Sequence, residues 1–358
     1  SLGFLLIIFA AFISPNKKGL IKKIFIFLFF YVIFLLLSIF NEHNNLNLIN
    51  FIYGLICLSL IISGSIISKN HKYFQVIPQS VLFFYSMLVI FGTIFFQIFL
   101  LTNSLSSREF QLESEIGINT IGLAFTTGVL FLMFFSIIYS RIKINYFVKI
   151  FVLISFFCCL LNLISTLSRG ALVFIILTFL IIFFKKLISK QVFKILFILI
   201  FVLIAFNISL TFIIDYSPVL GSRIDNSLSR FESLFSFTQN QSVDLSSQAR
   251  ISYFDIFKEK LSSFILFGQY QYTPYPHNIF MEILMRFGLI GVPLILFMIR
   301  FVFQAIKYVS KEQNKFNLVP LTISVIFIFS FLQSFTSLTL EFNRILWLGF
   351  GFYYSFKK

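Results

Sequence analysis

Apolar residues follow one another in blocks of about 17 to 25 along most of the chain, and short segments that carry lysine separate the blocks. A block of this length crosses the hydrocarbon core of a bilayer as an α-helix, whereas a membrane β-barrel would show weak alternation of polar and apolar residues. The pattern therefore predicts an all-α polytopic integral membrane protein with eleven transmembrane helices, in one transmembrane domain over residues 1–358. Because Ser1 stands inside an apolar run, we expect a twelfth helix in the full protein.

The expected helices fall at residues 2–13, 24–40, 51–67, 76–101, 118–139, 195–214, 277–300, 318–337 and 344–355. The apolar stretch between Lys149 and Lys185 is too long for one crossing and has basic residues at both ends, so it must form a helical hairpin. One long polar segment, residues 215–276, interrupts the pattern and predicts an external loop. Within this loop, residues 251–261 have apolar positions near helical spacing, which predicts an amphipathic helix at the membrane interface.

Charge sets the expected orientation. The chain has a formal net charge of +15, and most of its lysines lie in alternate short loops, as the positive-inside rule requires of cytoplasmic segments. Of the thirteen acidic residues, only Glu312 falls in a predicted inner segment. This distribution argues against nucleic-acid binding. Cys57, Cys158 and Cys159 all lie inside apolar runs, so they indicate neither a disulfide framework nor a metal site.

A proline-flanked polar segment leads directly into one of the apolar runs, and His277 stands at the junction. If Pro276 begins a continuous helix, the eleven-residue step from His277 to Gly288 returns to the same stripe, and Gly291 lies close to that stripe. The glycines would then form a groove where another helix or a lipid chain packs closely. The helix dipole would keep the imidazole neutral and able to act as a base. The structural alternative is that His277 only anchors the chain at the interface.

Arginine replaces lysine almost throughout the predicted outer segments. A guanidinium binds phosphate oxygens in a bidentate way, so several of them could hold a diphosphate, although each could instead pair with a carboxylate or a lipid headgroup. Arg169 is the least easily explained, because it stands at the apex of the predicted hairpin, level with the outer interface. Glu282 and Arg286 are four residues apart, and we expect them to pair with a structural role.

Three features together resemble the O-antigen ligase and polymerase superfamily of bacterial envelope glycosyltransferases. They are Ser168-Arg169-Gly170 at the hairpin apex, Arg250 early in the amphipathic part of the external loop, and Pro276-His277-Asn278 followed by Gly288 and Gly291. The resemblance covers roughly residues 118–300 in motifs and the whole chain in expected topology. The spacing from histidine to glycine is its most distinctive part.

The resemblance implies transfer of a glycan from undecaprenyl diphosphate to an acceptor hydroxyl on the outer face of the plasma membrane, without a metal or another cofactor. Arg169 and Arg250 would bind the diphosphate, and His277 would activate or orient the acceptor. Polymerases of this family use another lipid-linked repeat unit as the acceptor and ligases use lipid A-core; the divergence of the chain slightly favours a polymerase. The alternative from another class is a transporter or flippase of lipid-linked oligosaccharides, although no internal repeat supports it.

Overall fold

The computed structural model describes residues 46–70, 78–102, 120–140, 142–166, 168–187, 254–259, 261–266, 268, 278–311, 316–336 and 343–356. Every regular element in these ranges is a helix, and they contain no strand. The chain divides into two compact units. The first unit comprises residues 1–77, 140–142 and 245–358, and the second comprises residues 78–139 and 143–244.

The described helices of the first unit include α1 (Leu46–Asn70), α6 (Leu261–Phe264), α7 (Ile279–Phe287), α8 (Val292–Val309), α9 (Leu318–Gln333) and α10 (Arg344–Ser355), and residues 254–259 are also helical. A 3₁₀ turn, Gly288–Gly291, connects α7 to α8. The described helices of the second unit are α2 (Gln79–Thr102), α3 (Thr120–Tyr139), α4 (Tyr146–Ser165) and α5 (Arg169–Leu187).

Four described segments are long and apolar enough to cross a membrane: 79–98, 121–139, 146–165 and 279–309. Three shorter apolar helices cover residues 56–70, 170–183 and 318–333. The protein is thus an all-helical membrane protein in the part that the structure describes. The predicted helices at 2–13, 24–40 and 195–214 lie outside the described residues, so the number eleven stays a prediction.

In the second unit, α4 packs against both α2 and α3, while α5 packs mainly against α3. Phenylalanine rings fill the contact between α3 and α5, with the rings of Phe135 and Phe179 centred 4.7 Å apart and nearly perpendicular. The predicted break in the stretch between Lys149 and Lys185 is present, since α4 ends at Ser165 and α5 begins at Arg169. That the two helices both cross the membrane as a hairpin stays a prediction. Each of them packs more extensively against α3 than against the other.

In the first unit, α1 crosses α10 at two glycines, and the backbones come into direct contact there. A Cβ atom on Gly64 would collide with the carbonyl oxygen of Leu348, and one on Gly351 would collide with that of Ile61. Small residues permit such close crossings in membrane helices, where burial from water does not drive helix association. α9 is the most completely buried helix of the described part, and α8 and α10 both pack against it.

The segment around His277 differs from the expected continuous helix. α7 begins only at Ile279, because the side chain of Asn278 caps it by accepting hydrogen bonds from the backbone N–H groups of Phe280 (2.9 Å) and Met281 (3.2 Å). The helix then ends at Phe287, since Gly288 adopts a φ of 58°. Pro276 and His277 therefore precede the cap, and the single stripe predicted from His277 through Gly291 is wrong, because its geometry assumed an unbroken helix.

Candidate functional site

The predicted site residues are only partly covered by the structure. Arg169 is the first residue of α5, in the second unit, and its side chain lies outside the described part. Arg250 and His277 also lie outside the described residues. Their predicted roles stay predictions. The structure describes the helix that begins at Arg169 and the helix that begins just after His277.

Arg169 occupies a position that is unfavourable for a helix considered alone. The backbone N–H groups at a helix N-terminus carry the positive end of the helix dipole, and a cation in the first turn costs about 0.3–1 kcal/mol. α5 has no acidic residue in its first turn to compensate. The carbonyl of Ser168 accepts the first helical hydrogen bond, from the N–H of Leu172 at 3.3 Å. Backbone N–H groups at a helix N-terminus are a common binding site for phosphate and other anions.

A cluster of polar side chains lies between α2 and α4, close in sequence to Arg169. The side-chain amide of Gln97 donates to Oδ1 of Asn162 (3.1 Å) and to Oγ of Ser165 (3.0 Å), and Asn162 donates to Oγ1 of Thr93 (2.8 Å). These four residues, Thr93, Gln97, Asn162 and Ser165, are called the amide cluster below. Ser165 is the last residue of α4, four positions before Arg169, so the cluster adjoins the helix end that leads to the arginine.

The hydrogen bonds of the amide cluster were not predicted from the sequence, although the sequence contains a signal for them. Gln97 and Asn162 are amides inside apolar segments, where an unpaired polar group costs several kcal/mol, so each required a partner. The contact continues one heptad away, where Ser155 Oγ donates to the carbonyl oxygen of Ser86 at 3.0 Å. The pattern of apolar and polar residues does not show that α2 and α4 are neighbours, so it could not identify the partner of each amide.

The start of α7, immediately after His277 in sequence, is fixed to the end of α9. The N–H of Ile279 donates to the carbonyl of Ser334 at 2.9 Å, and the side-chain amide of Asn278 donates to the carbonyl of Phe335 at 3.3 Å. The ring of Phe280 packs against that of Phe335, with centroids 4.8 Å apart. The residue that follows His277 is therefore held by side-chain and backbone hydrogen bonds.

The start of α10 joins the same end of the first unit. Asn343 caps α10, accepting from the N–H of Leu346 at 3.3 Å, and its side-chain amide donates to the carbonyl of Ser330 at 3.1 Å. The hydroxyl of Ser330 also donates to Oδ1 of Asn343. Gln333, one residue before Ser334, is 1% exposed. Polar groups on three helix ends thus meet in the first unit, at the end that the charge pattern predicts to be external.

The expected pairing of Glu282 with Arg286 is present on α7. Oε1 of Glu282 lies 2.7 Å from a guanidinium nitrogen of Arg286, and the side chains are 2% and 21% exposed. A buried carboxylate would be costly without such a partner, so the pair neutralises a charge inside the segment. The pairing agrees with the expected structural role.

The two predicted packing glycines contact the chain in an unexpected way. The backbone of Ile265, Leu266 and Gly268 lies directly against the end of α7, and the N–H of Leu289 donates to the carbonyl of Ile265 at 2.7 Å. A Cβ on Gly288 would stand 2.6 Å from the carbonyl carbon of Leu266, and one on Gly268, which has a φ of 78°, would collide with the carbonyl of Arg286. A Cβ on Gly291 would collide with the side chain of Ile283 on α7. The backbone of Gly288 thus packs against Leu266 and Gly268, which belong to the predicted external loop.

The described residues contain no group of three or more histidine, cysteine, aspartate or glutamate side chains. His43, His71 and His277 all lie outside the described part. Compared with known proteins, the chain matches no protein-family model and no curated protein.

Proposed function

We propose that the protein is a glycosyltransferase of the O-antigen ligase and polymerase type, with eleven transmembrane helices in this chain. It would transfer a glycan from undecaprenyl diphosphate to an acceptor hydroxyl at the outer face of a bacterial plasma membrane. The observation that supports the proposal is the place of Arg169 as the first residue of α5, four positions after Ser165 of the amide cluster and with no acidic residue in that turn. An anionic ligand is what would make this arrangement favourable.

The proposed chemistry follows from the charge that develops when the donor bond breaks. The acceptor oxygen attacks the anomeric carbon, the bond from that carbon to the phosphate oxygen breaks, and the electron pair leaves with the diphosphate. Arg169 and Arg250 would stabilise this negative charge, which fixed guanidinium groups can do in a partly dry site. His277 would take the proton from the acceptor hydroxyl.

The test is transfer by the full-length protein reconstituted in liposomes with an undecaprenyl-diphosphate-linked glycan and a chelator. We expect Arg169→Lys to lose nearly as much activity as Arg169→Ala, because lysine lacks the bidentate fork. Arg344→Lys is the matched control, since exposed Arg344 also begins an apolar helix at the predicted outer face. Full activity of the Arg169→Lys protein would show that the position needs charge alone.

A second variant addresses the proposed base. His277→Ala should abolish transfer while membrane insertion stays intact, because no other histidine belongs to the matched motif. Unchanged product would reject a catalytic role for His277. Translocation of the labelled donor across the bilayer without transfer would instead favour the alternative of a lipid-oligosaccharide flippase.

The acceptor is determined by running the same assay twice. We expect product with a second lipid-linked repeat unit as the acceptor, which would make the protein a polymerase. Product with lipid A-core alone would make it a ligase. Each result leaves the role of Arg169 to be decided by the variants.

A further inference from the structure

The helix α8 presents two different faces. Its buried face, formed by Met298, Phe301, Val302, Ala305 and Val309, packs within the first unit, where Phe301 contacts Phe350 on α10 at a centroid distance of 5.0 Å. The opposite face carries Leu296, Arg300, Phe303 and Lys307, which are all exposed. These positions follow the i, i+4, i+7, i+11 spacing of a single helical stripe.

The exposed stripe borders a shallow groove that is wide open to its surroundings, and its described lining lies on α8: Leu296, Ile299, Arg300, Phe303, Gln304 and Lys307. We call it the α8 groove. The apolar side chains are prominent in it, since Leu296 is 61% exposed and Phe303 is 67% exposed. The cationic groups of Arg300 and Lys307 and the amide of Gln304 alternate with these apolar side chains. Water would solvate only the polar groups, and hydrocarbon only the apolar ones.

The two cations have no carboxylate partner among the described residues, where the ion pair on α7 is formed by Glu282 and Arg286. Arg300 nevertheless belongs to the apolar segment 279–309, which is long enough to cross the membrane. An arginine at membrane depth is costly unless an anion or water meets it, and long basic side chains reach toward the interface to find one. Arg300 and Lys307, two helical turns apart on one face, would both be satisfied by a phosphate at the interface.

We propose that the α8 groove binds an anionic phospholipid of the cytoplasmic leaflet. The lipid phosphate lies between Arg300 and Lys307, the amide of Gln304 bonds to the glycerol or headgroup oxygens, and an acyl chain follows Phe303 and Leu296 toward the membrane centre. The charge pattern places this end of α8 on the cytoplasmic side, because Lys311 and Lys315 follow it. Basic grooves on that side of membrane helices are suited to anionic headgroups.

Charge complementarity selects this occupant over a neutral lipid. A zwitterionic headgroup offers the same phosphate but also an ammonium group, which two neighbouring cations repel, whereas phosphatidylglycerol adds only hydroxyls. The arginine fork can bind two phosphate oxygens at once. The site is separate from the proposed transfer chemistry, which is assigned to the opposite side of the membrane.

The experiment measures lipid retained by the purified full-length protein in detergent, by native mass spectrometry, during titration with dioleoyl phosphatidylglycerol or dioleoyl phosphatidylcholine. We expect the protein to prefer phosphatidylglycerol. Lys307→Gln should weaken that binding about fivefold, and Arg300→Gln with Lys307→Gln about thirtyfold, while phosphatidylcholine binding stays unchanged.

Lys149→Gln provides the matched control, because Lys149 is an exposed cation on α4 near the predicted cytoplasmic side and lies outside the groove. It should bind phosphatidylglycerol within twofold of the unmodified protein. An equal loss in this control would show unspecific attraction and overturn the proposal. Lys307 is exposed in the last turn of α8, so Lys307→Gln tests the proposed lipid site even if the double variant does not fold. Unaltered phosphatidylglycerol binding by the Lys307→Gln protein would also overturn the proposal.

Discussion

Replacing Gly288 by alanine should detach the backbone of Leu266 and Gly268 from the end of α7. Gly288 has φ 58° and ψ −144°, a conformation that is close to one adopted almost only by glycine. The added Cβ would also stand 2.6 Å from the carbonyl carbon and oxygen of Leu266. The two atoms of Leu266 that the Cβ would meet belong to the backbone, so no side-chain rotation can relieve the collision.

The expected cost has two contributions. A non-glycine residue in such a strained conformation costs about 1–3 kcal/mol. Moving the loop away would break the hydrogen bond from the N–H of Leu289 to the carbonyl of Ile265, now 2.7 Å long, at a net cost of about 1 kcal/mol. The sum is about 2–4 kcal/mol, which for a chain of 358 residues corresponds to a fall in melting temperature of about 3–5 °C.

Two measurements test this prediction. The first is thermal unfolding in detergent, monitored by size-exclusion chromatography of heated samples. The second is hydrogen exchange of the peptide that contains Leu289. Gly92→Ala is the control, because a Cβ at Gly92 on α2 would meet nothing within 4 Å. That substitution should leave the melting temperature unchanged or raise it, since alanine favours a helix over glycine by about 0.5–1 kcal/mol. A Gly288→Ala protein with unaltered melting and unaltered exchange at Leu289 would refute the reasoning.

Two further predictions concern helix ends and helix contacts. Asn278→Ala removes the cap of α7 and should destabilise the protein by about 1–2 kcal/mol in thermal unfolding, whereas Asn278→Ser keeps a capping oxygen and should cost less; equal losses would mean that capping is unimportant there. Gln97→Leu and Asn162→Leu should show a coupling of about 0.6–1.7 kcal/mol in a double-mutant cycle, because their side chains are hydrogen-bonded to each other. Strictly additive effects would contradict this contact.

Much of the local structure could be predicted from the sequence. The break at residues 165–170 followed from length and charge, because one helix between Lys149 and Lys185 would exceed the membrane thickness. The pairing of Glu282 with Arg286 followed from helical spacing alone. The segment around His277 was predicted less well. Asn278 can be a helix residue or a cap, and the choice depends on its bond to Phe335, which is 57 positions away.

By itself, the sequence determined that this protein is helical and suited to a membrane, because the length of an apolar run and the distribution of lysine report directly on the bilayer. It also supplied the motif that motivates the proposed transfer chemistry. The tertiary structure decided which groups meet, such as the amides of Gln97 and Asn162 or the backbones of Leu266 and Gly288, and it left the cations of α8 exposed. Such contacts depend on which helices are neighbours, and periodicity along one helix reveals which face is polar without revealing what that face touches.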